Sequence, residues 1–194
     1  MKTKNVAILG GSFDPPHWGH VKLLNTLHSG PFTDWWLMPC YRHSFGKNMS
    51  SNNHRIEMCK LLVEHSGFDH ISVSTHEIDN QITGGTYESL KLLPKENDYF
   101  FIIGQDNADS IFRWINYEKL ISEFKFWVFP RGDKIPEKEA WYLKKPHVFF
   151  NSQFQKSNKS STEIRNMIKN DSYEGNHTHP KVIEYIKKHN LYRD

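Results

Sequence analysis

Residues 6–20, Val-Ala-Ile-Leu-Gly-Gly-Ser-Phe-Asp-Pro-Pro-His-Trp-Gly-His, leave the chain little freedom in how it can begin to fold. Val6–Leu9 is a short apolar run closed by glycine, too short for a helix, which is the pattern of a fully buried parallel strand. Gly10 and Gly11 are read as ending that strand and leaving a floor without side chains, where a phosphate can approach the backbone. Asp14-Pro15-Pro16 forces a rigid turn, because proline fixes φ and moves its predecessor away from helix. His17 and His20 follow at the mouth of an amphipathic segment, Val21–His28, and their spacing places both imidazoles on one helix face. Strand, glycine turn, paired imidazoles and helix start together read as an anion site.

Downstream, strand-like and helix-like runs alternate. Trp35–Met38 reads as a strand stopped by Pro39, and Tyr41–Asn53 as a long loop without periodicity. His54–His65 is a helix, with Ile56, Cys59, Leu62 and Val63 at helical spacing, and Ile71–Thr75 alternates as a strand. Glu77–Gly85 reads as a polar connection, Thr86–Leu93 as a helix and Tyr99–Ile103 as a second strongly apolar strand ending at Gly104. Helical signal runs from Ala108 to about Trp114 and again over Tyr117–Glu123, ahead of the strand Phe126–Phe129 and its stop at Pro130-Arg131-Gly132. A last strand is expected at His147–Phe150, then a Ser/Asn/Lys-rich loop, Asn151–Ser161, and helices at Thr162–Asn170 and Pro180–Asn190. This order predicts an α/β fold, a doubly wound parallel sheet with helices on both faces. At 194 residues the expectation is a single domain over residues 1–194, with a small C-terminal helical portion at about 162–194. Ligands of such sheets bind beyond the carboxyl ends of the strands, where the strand order switches.

Composition removes several function classes. The formal net charge is only +3, so neither a nucleic-acid nor a membrane surface is indicated. The C-terminal cations Lys156, Lys159, Arg165, Lys169, Lys181, Lys187 and Lys188 read as a mostly solvated face, with a few available to a polyphosphate. The two cysteines, Cys40 and Cys59, have no paired spacing, which argues against a disulfide framework or a zinc site. The start Met-Lys-Thr-Lys passes directly into a strand and no apolar run approaches ~20 residues, so the expected location is cytoplasmic. His177-Thr178-His179, ahead of Pro180, reads as a turn without chemistry.

A second anion cradle stands near the other end of the chain. Ser160 followed by Glu163 matches a capping box, so a helix should start at Ser161. Free N–H groups at that start, hydroxyls on Ser160, Ser161 and Thr162, and Arg165 one turn in suit an anion. Gly104-Gln105-Asp106 closes a buried strand, where the Asp106 carboxylate can accept hydrogen bonds from a ribose.

Gly10–His20 resembles the first signature of the nucleotidyltransferase superfamily, built on a (His/Thr)-x-Gly-His core, and Ser160–Arg165 is similar to its second. Phe101–Asp106 and Trp114 resemble the middle of the nicotinate- and nicotinamide-mononucleotide adenylyltransferases, and the similarity runs from Val6 to about Tyr192. The resemblance implies a Rossmann-like fold and transfer of the adenylyl group of ATP to one of these pyridine mononucleotides, giving the dinucleotide of NAD biosynthesis and pyrophosphate. It implies that His17 and His20 hold the triphosphate and stabilise its transition state, with Gly10, Gly11, Ser12, Phe13 and Gly19 around the nucleotide. Arg165 would be the main cation on the β- and γ-phosphates, joined by Ser160, Ser161, Thr162 and Lys159. Within the 41–55 loop Lys47 is favoured as a phosphate contact, with Arg42 and Arg55 as the other candidates. Gly104 and Asp106 would line the adenosine ribose. On the mononucleotide side stand Trp114, stacking on the pyridine ring, the Thr86-Tyr87 backbone, and Arg131, reaching toward the adenine.

No residue reads as a general base, and none is needed, because the attacking phosphate is already an anion. Mg²⁺ would travel with ATP, held by phosphates and water. Two other readings stay open: a transferase acting on a phosphopantetheine-type or other phosphorylated acceptor, and a nucleotide-sensing module without catalysis. Pyridine preference and oligomeric state are also open, a homo-oligomer among the options.

Overall fold

The protein was analysed as a computed structural model that describes residues 3–28, 30–43, 46, 48–130, 134–150 and 159–193. Six strands, β1 (Asn5–Gly11), β2 (Asp34–Pro39), β3 (Ile71–Val73), β4 (Asp98–Gly104), β5 (Lys125–Phe129) and β6 (Val148–Phe149), form one sheet. Every pairing is parallel and the order is β3-β2-β1-β4-β5-β6. The chain therefore winds outward twice from the centre, and the order reverses between β1 and β4. The helices are α1 (Trp18–Asn25), α2 (Asn52–Glu64), α3 (His76–Asp79), α4 (Thr86–Lys91), α5 (Gln105–Asp109), α6 (Tyr117–Glu123), α7 (Ser161–Lys169) and α8 (Pro180–Lys188).

Period-two alternation divides the core between the two faces. Ala7, Leu9, Ile102 and Trp127 point to one side, where Val21, Leu24, Met58, Leu62, Ile164, Ile168, Val182 and Ile186 of α1, α2, α7 and α8 cover them. Val6, Ile8, Phe101, Ile103, Phe126 and Val128 point to the other, under Leu90, Ala108, Leu120 and Tyr142. The C-terminal helices thus complete one layer of the common core, and helices cover both faces as the alternation predicts.

Three local readings change. The polar connection at 77–85 begins inside the one-turn helix α3, whose Glu77 is buried. The helical run to Trp114 breaks after Asp109 into a 3₁₀ turn, Ile111–Arg113, and Trp114 leaves it in an extended conformation. Gly10 and Gly11 do not end β1; they continue its ladder, opposite Met38 and Pro39. A Cβ on Gly10 would lie 2.7 Å from Cζ of Phe101, so the missing side chain is required by the packing of β1 against β4.

Three imidazoles set a pH response. Desolvation holds His70, His147 and His179 below the usual histidine range, aided at His70 by His28 and at His179 by His65, with which it stacks at 4.7 Å. The unfolded chain therefore takes up these protons first, and stability should fall as pH drops through about 6.5. Buried Glu77 works the other way, its carboxyl raised by desolvation, but its relief comes only near the carboxylate range. We expect Tm to be lower at about pH 5.5 than at about pH 7.5. A flat Tm over that interval would show the three rings to be solvated.

Candidate active site

The loop after β1 leads into α1 through an unusual cap. His17 is the N-cap residue, outside the helix proper, and its Nδ1 accepts the N–H of Gly19 at 3.1 Å. His20, at the third helical position, accepts the N–H of His17 on its own Nδ1 at 3.0 Å. This is a capping box made of imidazoles, so the two rings meet by reciprocal capping rather than by sharing a helix face. Their centroids lie 3.8 Å apart and their planes 30° apart. Because each Nδ1 accepts, each neutral ring carries its proton on Nε2, the ring nitrogen turned away from the capped backbone.

The loop beneath them is held tightly. Phe13 is buried with φ +47, a left-handed conformation costly for a bulky residue, and its ring meets His20 edge-on at 4.8 Å. Asp14, 2% exposed, accepts the Tyr192 hydroxyl on Oδ1 at 2.6 Å and the Ser50 N–H on Oδ2 at 3.3 Å. The segment read as a turn without chemistry buttresses the same helix: the His177 carbonyl accepts the Trp18 N–H at 3.0 Å, and His179 caps α8.

Helix α7 docks directly on this loop. Ser160 and Glu163 form the expected capping box, Glu163 N–H to Ser160 Oγ at 3.3 Å and Ser160 N–H to Glu163 Oε2 at 2.8 Å. The Ser160 hydroxyl also donates to Glu163, at 2.9 Å, so Ser160 serves the cap and both of its donors are already engaged. Those two donors hold the Glu163 carboxyl below its usual range. The Ser161 hydroxyl donates to the Pro15 carbonyl at 2.8 Å. Arg165 donates from Nη1 to the Asp14 carbonyl at 2.6 Å and from Nη2 to the Thr162 hydroxyl at 3.2 Å. The two signature elements, far apart in sequence, are therefore hydrogen-bonded neighbours, and Arg165 reaches the residues immediately before the histidine pair.

Arg55 departs from its candidate role. It is fully buried and donates from Nε to the Ser50 carbonyl at 3.1 Å, from Nη1 to that of Ser12 at 2.9 Å and from Nη2 to that of Cys40 at 2.6 Å, with Asn52 Oδ1 as a further acceptor. The guanidinium fastens the loop after β1, the end of β2 and the start of α2 to one another; it is a clamp, not a phosphate contact. Its position in sequence could have revealed this, since Arg55, Cys59 and Leu62 share one helical stripe and all are buried. Arg42 is exposed on the same loop, while Lys47 and Arg131 lie outside the described residues.

Gly104 ends β4 and caps α5, and exposed Asp106 sits in the first turn of that helix, so both lie at the carboxyl edge of the strand adjacent to β1. Gln105 between them is buried and donates to the Tyr142 hydroxyl at 3.5 Å. Thr86 opens α4 directly after Gly85, which has φ +79, and the Tyr87 hydroxyl donates to Glu123 at 3.1 Å. Trp114 is half-buried, edge-on to Phe101 at 6.5 Å, with Phe112 and Ile115 exposed on either side. Neither cysteine is poised as a nucleophile. Burial pushes the Cys40 thiol up to about 11 and the Cys59 thiol higher still.

The chain is a doubly wound parallel sheet with its two signature elements hydrogen-bonded to each other, and a family model described as Cytidylyltransferase-like matches residues 8–167, which places it in that class. A probable nicotinate-nucleotide adenylyltransferase of Listeria monocytogenes serotype 4b (strain F2365) is 32% identical over 200 residues, spanning 99% of this chain and 98% of the relative. One from Fusobacterium nucleatum subsp. nucleatum is 31% identical over 193 residues, spanning 94% and 97%. The solved structure of Plasmodium falciparum nicotinic acid mononucleotide adenylyltransferase complexed with NaAD matches at a TM-score of 0.80 and 30% identity, over 97% of each chain. Identity at this level over essentially the whole length places the chain in the nicotinate-nucleotide adenylyltransferase family.

Proposed function

We propose that this protein transfers the adenylyl group of Mg-ATP to nicotinate mononucleotide, giving nicotinate adenine dinucleotide and pyrophosphate, a step of NAD biosynthesis. The observation that carries the mechanism is the meeting of the His17–His20 pair and Arg165 on one loop, residues 14–17. A phosphate oxygen of the mononucleotide attacks the α-phosphorus, a P–O bond forms, and the bond to the β-phosphate oxygen breaks to release pyrophosphate. Charge rises on the equatorial oxygens of the α-phosphate and on the leaving group. The Nε2–H donors of His17 and His20 face that charge, fixed in place by their Nδ1 caps, and Arg165 with the first turn of α7 neutralises the leaving pyrophosphate. No proton has to be taken from the attacking phosphate, so the chain supplies position and fixed charge. Mg²⁺ belongs to the substrate, on phosphate oxygens and water.

Ser12, Phe13 and Gly19 shape the floor for the nucleotide, and Ser161 and Thr162 add hydroxyls at the phosphate end. Gly104 and Asp106 take the adenosine ribose; the Thr86-Tyr87 backbone and Trp114 take the pyridine, with Lys47 and Arg131 as further contacts. The names of the relatives favour the nicotinate acceptor, and nicotinamide mononucleotide is the competitor to test. Among the described residues no helix is long and apolar enough to cross a membrane, and a cytoplasmic setting without nucleic acid fits this chemistry. Both anion elements come from one chain, so the mechanism requires no second copy.

The test is an assay of the purified chain with Mg-ATP and each mononucleotide, following dinucleotide and pyrophosphate together. Faster turnover with the nicotinate form is expected. Silence with both would remove the assignment, and preference for the nicotinamide form would change the acceptor.

A further inference from the structure

A carboxylate as buried as that of Asp14 requires donors on its oxygens. The Ser50 N–H supplies one at 3.3 Å, and the shorter contact, 2.6 Å, comes from the Tyr192 hydroxyl. Arg165 is adjacent but uses the Asp14 main-chain carbonyl, at 2.6 Å, and not the carboxylate. The guanidinium thus stands beside a negative charge that another residue already satisfies.

Tyr192 reaches this position by a constrained route. The chain leaves α8 with the Leu191 N–H on the Ile186 carbonyl at 3.0 Å, and both Asn190 and Tyr192 adopt positive φ, +50 and +66. A bulky residue keeps such a conformation only where its surroundings hold it. The hydroxyl also lies 3.8 Å from Met58 Sδ. Burial, and then the Asp14 charge, push the phenol far above its ordinary range, so it remains a donor at any working pH.

We propose that Tyr192 is a positioning residue for adenylyl transfer, an inference resting on the function proposed above: by satisfying the Asp14 carboxylate, its hydroxyl keeps the Arg165 guanidinium on the Asp14 carbonyl and directed at the triphosphate. Without that hydroxyl the under-satisfied carboxylate draws the nearest cation, and Arg165 swings onto it in the paired geometry that guanidinium and carboxylate favour. The triphosphate then loses its counter-charge while the fold stays intact.

The experiment measures Mg-ATP affinity by calorimetry on the full chain, with KM for the mononucleotide and Tm alongside. Tyr192→Phe should weaken Mg-ATP binding about tenfold, the scale of one charged hydrogen bond, and leave the mononucleotide KM within about twofold. Adding Asp14→Asn to that variant should restore most of the lost affinity, because a neutral amide exerts no pull on Arg165. Unchanged Mg-ATP affinity in Tyr192→Phe overturns the proposal. A double variant weaker than Tyr192→Phe also overturns it, since a second lesion deepens a purely structural defect. Should these affinities follow the expected pattern while neither mononucleotide turns over, the positioning role stands and the assigned reaction falls.

Discussion

Replacing His20 with alanine should lower kcat by about two to three orders of magnitude, the cost of losing one fixed donor to a developing anion. His20 has two functions, and they separate by measurement. Its Nδ1 caps the His17 N–H, and losing a cap destabilises by about 1 kcal/mol, well short of unfolding a domain. In the proposed mechanism its Nε2–H serves the transition state and should dominate the kinetics. The expected record is a modest fall in Tm beside a collapse in kcat, with the substrate KM values little changed. A His20→Ala enzyme turning over within about threefold of the parent would show that the imidazoles only cap a helix.

The second large effect is thermodynamic. Arg55→Met should destabilise the protein by about 3 kcal/mol or more, because the carbonyls of Ser12, Cys40 and Ser50 lose their donor inside the core. For a domain of this size that is a fall in Tm of about 6 to 12 °C. The methionine fills similar volume, so the loss would report hydrogen bonds rather than a cavity. Mg-ATP binding should weaken along with it, since the Ser12 loop and the Ser50 donor to Asp14 are both anchored through this guanidinium. If Tm stays put while ATP binding disappears, Arg55 is a phosphate ligand after all and its buried position has been misread.

What the chain discloses about itself follows physical lines. Strands such as Val6–Leu9 and Phe101–Ile103 announce themselves because both of their faces are buried, and the paired signatures because helix starts and proline turns have local rules. Contacts between distant segments have no such local signal. Tyr192 and Asp14 are 178 positions apart, and nothing near either residue marks the hydrogen bond between them. Arg55 looks like a loop cation until the buried stripe of α2 is counted, and Gly10 looks like the end of a strand until its pairing with Met38 and the ring of Phe101 are seen. Helix α3 is a single turn, too short to show periodicity. The imidazole cap is hidden for a different reason: histidine is not among the usual capping residues, so the spacing alone suggests a shared helix face.

The docking of α7 on the Asp14–Pro15 loop has a consequence during synthesis. A nascent chain emerging from the ribosome carries both imidazoles almost at once but receives the guanidinium only after most of its length has been translated. Ile164, Ile168, Val182 and Ile186 arrive in the same late stretch and close one side of the sheet. An unfinished polypeptide therefore holds one signature element without the other, and the second arrives together with the helices that cover one face of the sheet.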